Sequence, residues 1–218
     1  LRPEGKRGTL ARSVDSYRTY YERWADTWEF QALLRARPAA GDPQVAGRFM
    51  SMIEPFVYQT DFGLPEVRAI RRMKVRIEQE RIPPGEDAAF HMKLGRGGLA
   101  DVEWTVQLLQ LLFGAEDREV RTPSTIDAIE ALRRRGRIKN GEAENLTKAY
   151  RFCARVRNRL FLQAGKQRDS LPSDAAEAAR LARSLGYVTN PRTTLREDYR
   201  RVTRRARRIT ETRFFGER

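Results

Sequence analysis

Histidine and cysteine are almost missing from this sequence of 218 residues, which contains one of each. The lone cysteine, Cys153, cannot form a disulfide within the chain, and the lone histidine, His91, cannot build a histidine-rich metal site. Neither residue has a sequence neighbour that would make it a nucleophile or a metal ligand. We therefore interpret both as structural residues and expect a reducing, cytoplasmic environment.

Long apolar stretches are also absent. The longest, residues 108–115, is interrupted by Gln110 and is far shorter than the roughly 18 to 20 residues that a bilayer requires. The charged first residues are not followed by the apolar segment of a signal peptide, so we expect no membrane contact. The sequence does not begin with Met, and we expect it to be a piece of a longer protein. With 40% hydrophobic and 33% charged residues, its composition is that of a charge-rich globular chain.

Acidic residues are scarce relative to basic ones. The chain has 43 Lys and Arg against 29 Asp and Glu, a net charge of +14, which favours an anionic partner such as nucleic acid, a nucleotide or an acidic protein. A net +5 of this excess lies in residues 196–213. There the spacing places one set of arginines on a single helical side: Arg200, Arg204, Arg207 and Arg208. A solvated face of an amphipathic helix is the commoner explanation of such a pattern. A non-enzymatic helical module that binds nucleic acid through this face is the alternative.

Strand signals are confined to the first dozen residues and to residues 90–94. Elsewhere the hydrophobic period and the Gly, Pro and Ser/Thr/Asp boundary signals predict helices. The predicted helices cover residues 13–35, 44–57 with a break at Pro55, 65–82, 99–113, 124–134, 141–164, 173–185 and 194–215. This pattern predicts an all-α helical bundle with a short non-helical head.

The segment before the most apolar helix is the first candidate for chemistry. Two adjacent glycines, Gly97 and Gly98, precede the helix, and Lys93 and Arg96 stand beside them, which is a sensible cradle for an anion or phosphate. The spacing is not that of a P-loop. Asp101 lies among apolar neighbours and needs a partner. It either only complements the helix N-terminus or belongs to a functional site.

The aromatic residues in residues 20–33 recur at helical spacing, which is more typical of a core than of a ligand platform. Glu29, Arg35 and Arg37 are more informative, because two arginines near a glutamate can hold one another rigid or bind phosphates in a bidentate manner.

These two segments together resemble the glutamine synthetase adenylyltransferase family. The motifs that carry the resemblance are LRPEGK at the start, YY at 20–21, TWE, QAL and RAR within 27–37, GD at 41–42, KLGRGG at 93–98 and DVE at 101–103. The resemblance is good over about the first 115 residues and weaker through 201–206.

The family has two similar halves, each a nucleotidyltransferase domain followed by a helical domain related to PII-uridylyltransferase. One half transfers AMP from ATP to a tyrosine of glutamine synthetase, and the other removes it by phosphorolysis. Trp104 and the Arg-rich final stretch are more similar to the carboxy-terminal, adenylylating half.

The resemblance implies a nucleotidyltransferase remnant in residues 1–42 and a helical domain in residues 43–218. It further implies that one set of residues borders the nucleotide cleft and another faces it from the helical side. The first set is Arg2, Glu29, Arg35 and Arg37, and the second is Lys93, Arg96, Gly97, Gly98, Asp101 and Glu103.

The family's catalytic, metal-binding carboxylates belong to a segment that precedes the LRP motif, so the resemblance assigns no catalytic residue and no metal ligand to this chain. ATP and Mg²⁺ are expected in the parent enzyme, and this chain is expected to be inactive alone. The expected partners are glutamine synthetase and, as a further candidate, the PII signalling protein; nucleic acid is not expected.

Overall fold

The computed structural model describes residues 3–83 and 86–217, and nine α-helices account for most of them. They are α1 (Val14–Arg23), α2 (Thr27–Leu33), α3 (Pro43–Val57), α4 (Leu64–Glu80), α5 (Leu99–Phe113), α6 (Thr125–Arg134), α7 (Asn140–Ala164), α8 (Ala175–Ser184) and α9 (Pro191–Thr210), with a π-helical turn at Glu211–Phe215. No strand occurs within the described ranges, and the β-type pairing seen there is an isolated bridge between His91 and Ser170. The predicted all-α class is confirmed. The strand end predicted at the start of the head falls partly on Leu1 and Arg2, which lie outside the described residues.

The chain divides into two compact units. The first comprises Leu1–Met73 and Gln107–Leu132, and the second comprises Lys74–Val106 and Arg133–Arg218. Residues of α4 and α5 are therefore shared between the units. The domains predicted from the family resemblance, 1–42 and 43–218, stay a prediction, because compact units need not coincide with inherited domains.

Aromatic packing holds the first unit together. Tyr21 lies 5.6 Å from Tyr20 and 6.0 Å from Phe56 between ring centroids, and Phe30 stacks on Phe56 at 6.1 Å. The offset and tilted arrangements are those that aromatic quadrupoles favour. Tyr20 and Tyr21 are therefore core residues, as the pattern predicted, but Trp24 and Trp28 of the same pattern are 63% and 38% exposed, so for them the prediction is wrong.

Two helix boundaries in the first unit differ from prediction. The single helix expected at 13–35 is two helices, α1 and α2, because the Glu29 carboxylate accepts the Asp26 N–H at 3.2 Å and so starts a new helix. The break expected at Pro55 is also wrong. Pro55 lies in the last turn of α3, which continues to Val57, and the Tyr58 N–H still reaches the Glu54 carbonyl at 2.9 Å.

The second unit is built on α7, α8 and α9. Its core includes Leu160, Leu181, Leu195 and Tyr199. Cys153 is fully buried there, and burial raises the pKa of its thiol to about 12, so the thiolate is scarcely populated near neutral pH.

His91 is also buried in the second unit and orders the chain that follows it. Its Nδ1 accepts the backbone N–H groups of Lys93 at 3.2 Å and Leu94 at 2.9 Å. Desolvation lowers the pKa of His91, although Glu86 and Asp169 oppose that shift. A neutral imidazole suits the acceptor role of Nδ1.

Candidate functional site

The segment Lys93–Gly98, which we call the glycine loop, lies directly against α9 in the second unit. Gly97 has a φ of +76°, and a Cβ atom at this position would stand 1.9 Å from the Thr203 carbonyl oxygen. A Cβ on Gly98 would stand 2.5 Å from the Met92 carbonyl oxygen. Gly97 therefore permits the close approach of the loop to α9, and Gly98 permits the tight turn of the loop back toward Met92.

Asp101, in the first turn of α5, anchors this loop. Its Oδ2 accepts the Gly97 N–H at 2.6 Å, and its Oδ1 accepts from Lys74 Nζ at 2.6 Å. Arg207 Nη1 completes the set at 3.1 Å from Oδ2. Both the Asp101 and Lys74 side chains are 1% exposed. Asp101 therefore has the partner that we expected for a carboxylate among apolar neighbours. That partner is a buried network of ion pairs and not the helix terminus alone.

The protonation state of Asp101 follows from these contacts. Burial by itself would raise the pKa of the carboxyl group, but the charge and hydrogen bond of Lys74, the Gly97 N–H and the Arg207 charge lower it below its usual range. Asp101 is therefore ionised at neutral pH.

Arg207 connects the buried carboxylate to the surface. Besides Asp101 it reaches Glu78 at 3.3 Å and Glu211 at 2.9 Å, and Glu211 also pairs with Arg96 of the glycine loop at 2.9 Å. Burial would lower the pKa of Arg207, but these carboxylates raise it. The loop, α4 and α9 are thus joined by one charged network.

Sequence reasoning missed Lys74, Glu78 and Glu211 as members of this network. The Lys74–Glu78 and Arg207–Glu211 pairs have the i,i+4 spacing of helical ion pairs, which was an available signal. Their convergence on Asp101 was not available, because it joins residues that are far apart in sequence.

A groove of about 410 Å³ lies on the same side of the second unit, and we call it the α9 groove. It is lined by Arg96, Arg200, Thr203, Arg204, Arg207, Arg208 and Glu211. Arg200, Arg204 and Arg208 are exposed, as the helical pattern predicted, whereas the Arg207 side chain is only 13% exposed. The opposite side of the helix, including Tyr199, Ala206 and Ile209, is buried.

The structure brings most of the helical-side candidates together. Lys93, Arg96, Gly97 and Gly98 share the glycine loop, and Asp101 follows within one turn. Glu103 is half-buried and accepts from the Tyr150 hydroxyl at 3.3 Å.

The candidates expected to border the nucleotide cleft lie in the first unit. Glu29 is buried and accepts from the Tyr20 hydroxyl at 2.9 Å. Desolvation and this hydrogen bond to Glu29 raise the pKa of Tyr20 to about 12. Arg35 donates to Thr125 Oγ1 at 2.8 Å, and Arg37 is exposed. Arg2 lies outside the described residues.

The described residues do not fit the Mg²⁺ ion that the family resemblance implies for the parent. Across residues 3–83 and 86–217 there is no cluster of three or more His, Cys, Asp or Glu that could hold a metal. Mg²⁺ favours carboxylate oxygens with free coordination sites, whereas both oxygens of the buried Asp101 are already engaged by cations and an N–H group.

Helix length and polarity bear on membrane insertion. Among the described helices none combines the length and apolar character needed to cross a bilayer.

Fold and site together define a helical domain in which a glycine loop and a buried ion-pair network pack on a basic final helix. Residues 71–214 match the family model described as GlnD PII-uridylyltransferase, and the chain belongs to this family. Residues 1–52 match a second model, described as glutamate-ammonia ligase adenylyltransferase.

Three curated relatives of this chain share one name. The bifunctional glutamine synthetase adenylyltransferase/adenylyl-removing enzyme of Streptomyces avermitilis is 46% identical over 217 residues, which cover 99% of this chain and 22% of that protein. Proteins of the same name from Leifsonia xyli subsp. xyli and Mycobacterium avium are 46% and 44% identical, over 99% and 96% of this chain and 21% of each relative. The chain spans about a fifth of the length of these relatives. The resemblance to glutamine synthetase adenylyltransferase is confirmed.

Proposed function

We propose that a protein containing this chain transfers AMP from ATP to a tyrosine of glutamine synthetase, and that this chain supplies a helical domain for the reaction. The observation that carries the proposal is the 46% identity over 99% of the chain to an enzyme whose name states adenylyl transfer and removal. Trp104 and the Arg-rich α9 favour the adenylylating half. ATP and Mg²⁺ are the cofactors of this proposal, the PII signalling protein is a candidate partner, and the cytoplasm is the expected location.

The geometry of the glycine loop supports a role in positioning. Asp101, itself buried, fixes the Gly97 N–H, while the side chains of Lys93 and Arg96 remain exposed. A loop with a fixed backbone and exposed charges meets a partner without first having to be ordered, which lowers the entropic cost of binding. In the proposal, Lys93 and Arg96 present positive charge to anionic groups of the substrates, and Asp101 holds them in place.

Comparing two proteins tests whether the longer protein carries out adenylyl transfer and this chain alone does not. The longer protein that contains this chain and the 218-residue chain alone are each mixed with glutamine synthetase, Mg²⁺ and ATP labelled at the α-phosphate. We expect label on glutamine synthetase with the longer protein and none with the chain. Failure of the longer protein would refute adenylyl transfer, and labelling by the purified chain would refute its expected inactivity.

The loop assignment gives a second prediction. In the longer protein, the charge reversal Lys93→Glu/Arg96→Glu should lower the rate of adenylylation about tenfold or more, since attraction becomes repulsion at the binding step. The melting temperature should fall only modestly, because both side chains are exposed and the Arg96–Glu211 ion pair that is lost lies at the surface.

The matched control is Lys148→Glu/Arg151→Glu, which makes the same charge change at exposed positions of α7. It should leave the rate nearly unchanged. Unchanged turnover in the loop variant, or an equal loss in both variants, would contradict the assignment.

A further inference from the structure

The α9 groove concentrates positive charge that the fold does not neutralise. Arg204 and Arg208 are exposed, and among the described residues neither has an ion-pair or hydrogen-bond partner. Arg200, one turn earlier, also faces the groove. Like charges four residues apart on a helix destabilise it, so this stripe carries a cost that a bound anion would offset.

The rest of the groove is preorganised. Arg207 is fixed by Asp101, Glu78 and Glu211, and Arg96 by Glu211. The guanidinium of Arg200 lies 4.9 Å from the centre of the Phe90 ring, a cation–π distance that restricts the side chain. Arg96, Arg200 and Arg207 have therefore already lost much of their rotational freedom, whereas Arg204 and Arg208 can turn toward an anion that enters the groove.

We propose that the α9 groove is a binding site for a polyphosphate group, that is, a chain of two or more linked phosphates, held chiefly by Arg200, Arg204 and Arg208. The proposal does not depend on adenylyl transfer, and of the residues expected to face the nucleotide cleft the groove shares Arg96.

The spacing of the three arginines along α9 favours a chain of linked phosphates over a single phosphate. Helical rise places successive arginines of the stripe about 6 Å apart and its two ends about 12 Å apart. A single phosphate can engage one neighbouring pair, whereas a linked chain can reach all three guanidinium groups, each of which donates in a fork suited to phosphate oxygens. The groove volume of about 410 Å³ is within the range of small-ligand sites.

The same features disfavour nucleic acid. None of the residues lining the groove is aromatic, so the groove offers no platform for stacking bases. Duplex binding draws on many phosphate contacts along an extended track, and the unpaired stripe is only about 12 Å long.

The test is isothermal titration of the whole chain with tripolyphosphate, pyrophosphate, orthophosphate and ATP in Mg²⁺-free buffer at physiological salt, beside a duplex DNA. We expect tripolyphosphate to bind at least about tenfold more tightly than orthophosphate. Tighter binding of ATP than of tripolyphosphate would identify a nucleotide as the source of the phosphate chain, and equal binding would identify the phosphate chain alone; both support the site. Binding of DNA without binding of tripolyphosphate would overturn the proposal in favour of a nucleic-acid surface.

Two double variants locate the site. Arg204→Gln/Arg208→Gln should weaken tripolyphosphate binding about tenfold or more, because it removes two charge-assisted contacts. Arg192→Gln/Arg205→Gln removes the same charge from exposed positions of α9 that do not line the groove, and it should weaken binding less than about threefold. Circular dichroism melts check that both variants fold. Equal weakening by the two variants, or absence of tripolyphosphate binding by the unaltered chain, would refute the site.

Discussion

Replacing Asp101 with Asn should lower the free energy of unfolding by about 3–5 kcal/mol, the cost of removing one member of a buried ion pair. The amide keeps the shape of the side chain but removes one of the two carboxylates that Lys74 and Arg207 share, so that only Glu78 still contacts both cations. Lys74 is the more severe case, since its side chain is 1% exposed and loses the bond at 2.6 Å. Urea unfolding of the whole chain, followed by circular dichroism, measures the change.

The control for Asp101→Asn is Glu197→Gln, which removes one carboxylate from an exposed position of α9. It should change the free energy of unfolding by less than about 0.5 kcal/mol. A similar small effect of Asp101→Asn would show that the network does not stabilise the second unit.

The pH dependence of the Asp101 effect has a definite sign. The folded-state pKa of Asp101 is lowered, so the carboxylate contributes stability above the unfolded-state pKa of about 3.9 and loses it as pH falls through the folded-state value. The difference between the unaltered chain and Asp101→Asn should therefore be constant near neutral pH and shrink in acid below about pH 4. A difference that grew on acidification would contradict this assignment.

Gly97→Ala should be the second most damaging change, with a loss of about 2–5 kcal/mol in the free energy of unfolding. Two costs add: strain of a side chain at positive φ, and overpacking against backbone that cannot move away. The added Cβ would meet the carbonyl oxygen of Thr203 at 1.9 Å and its Cα at 2.9 Å. The loop must then separate from α9, so amide hydrogen exchange in α9 should also quicken.

Gly136→Ala separates these two costs. Gly136 has a similar φ of +67°, but a Cβ there meets nothing within 4 Å. We expect a loss of about 1 kcal/mol from backbone strain alone. If the two alanine variants were equally stable, the close contact between the glycine loop and α9 would be disproved.

Helical periodicity was sufficient to predict α5, which the structure places at Leu99–Phe113 as expected, and the two faces of α9. Prediction failed where a local side-chain bond competes with periodicity. The predicted helix 13–35 is divided because Glu29 bonds back to the Asp26 N–H. Pro55 removes one backbone donor but does not end α3, because the bond from the Tyr58 N–H to the Glu54 carbonyl still forms beyond it.

The candidate site was likewise predictable from the sequence only in part. The Gly-Gly pair and its flanking cations were recognisable in sequence, as was the need of Asp101 for a partner. The sequence does not show that Lys74 and Arg207 are the partners of Asp101, because they are separated from it by 27 and 106 residues.

The all-α class, the basic character and the arginine stripe of α9 are predictable from the order of residues, because periodicity and charge are local properties of a chain. The burial of Asp101 between two cations, and the inward turn of Arg207 alone among the stripe, are visible only once the chain is folded. Burial and pairing depend on which distant segments pack together, and the free energy that selects that packing is shared among contacts far apart in sequence.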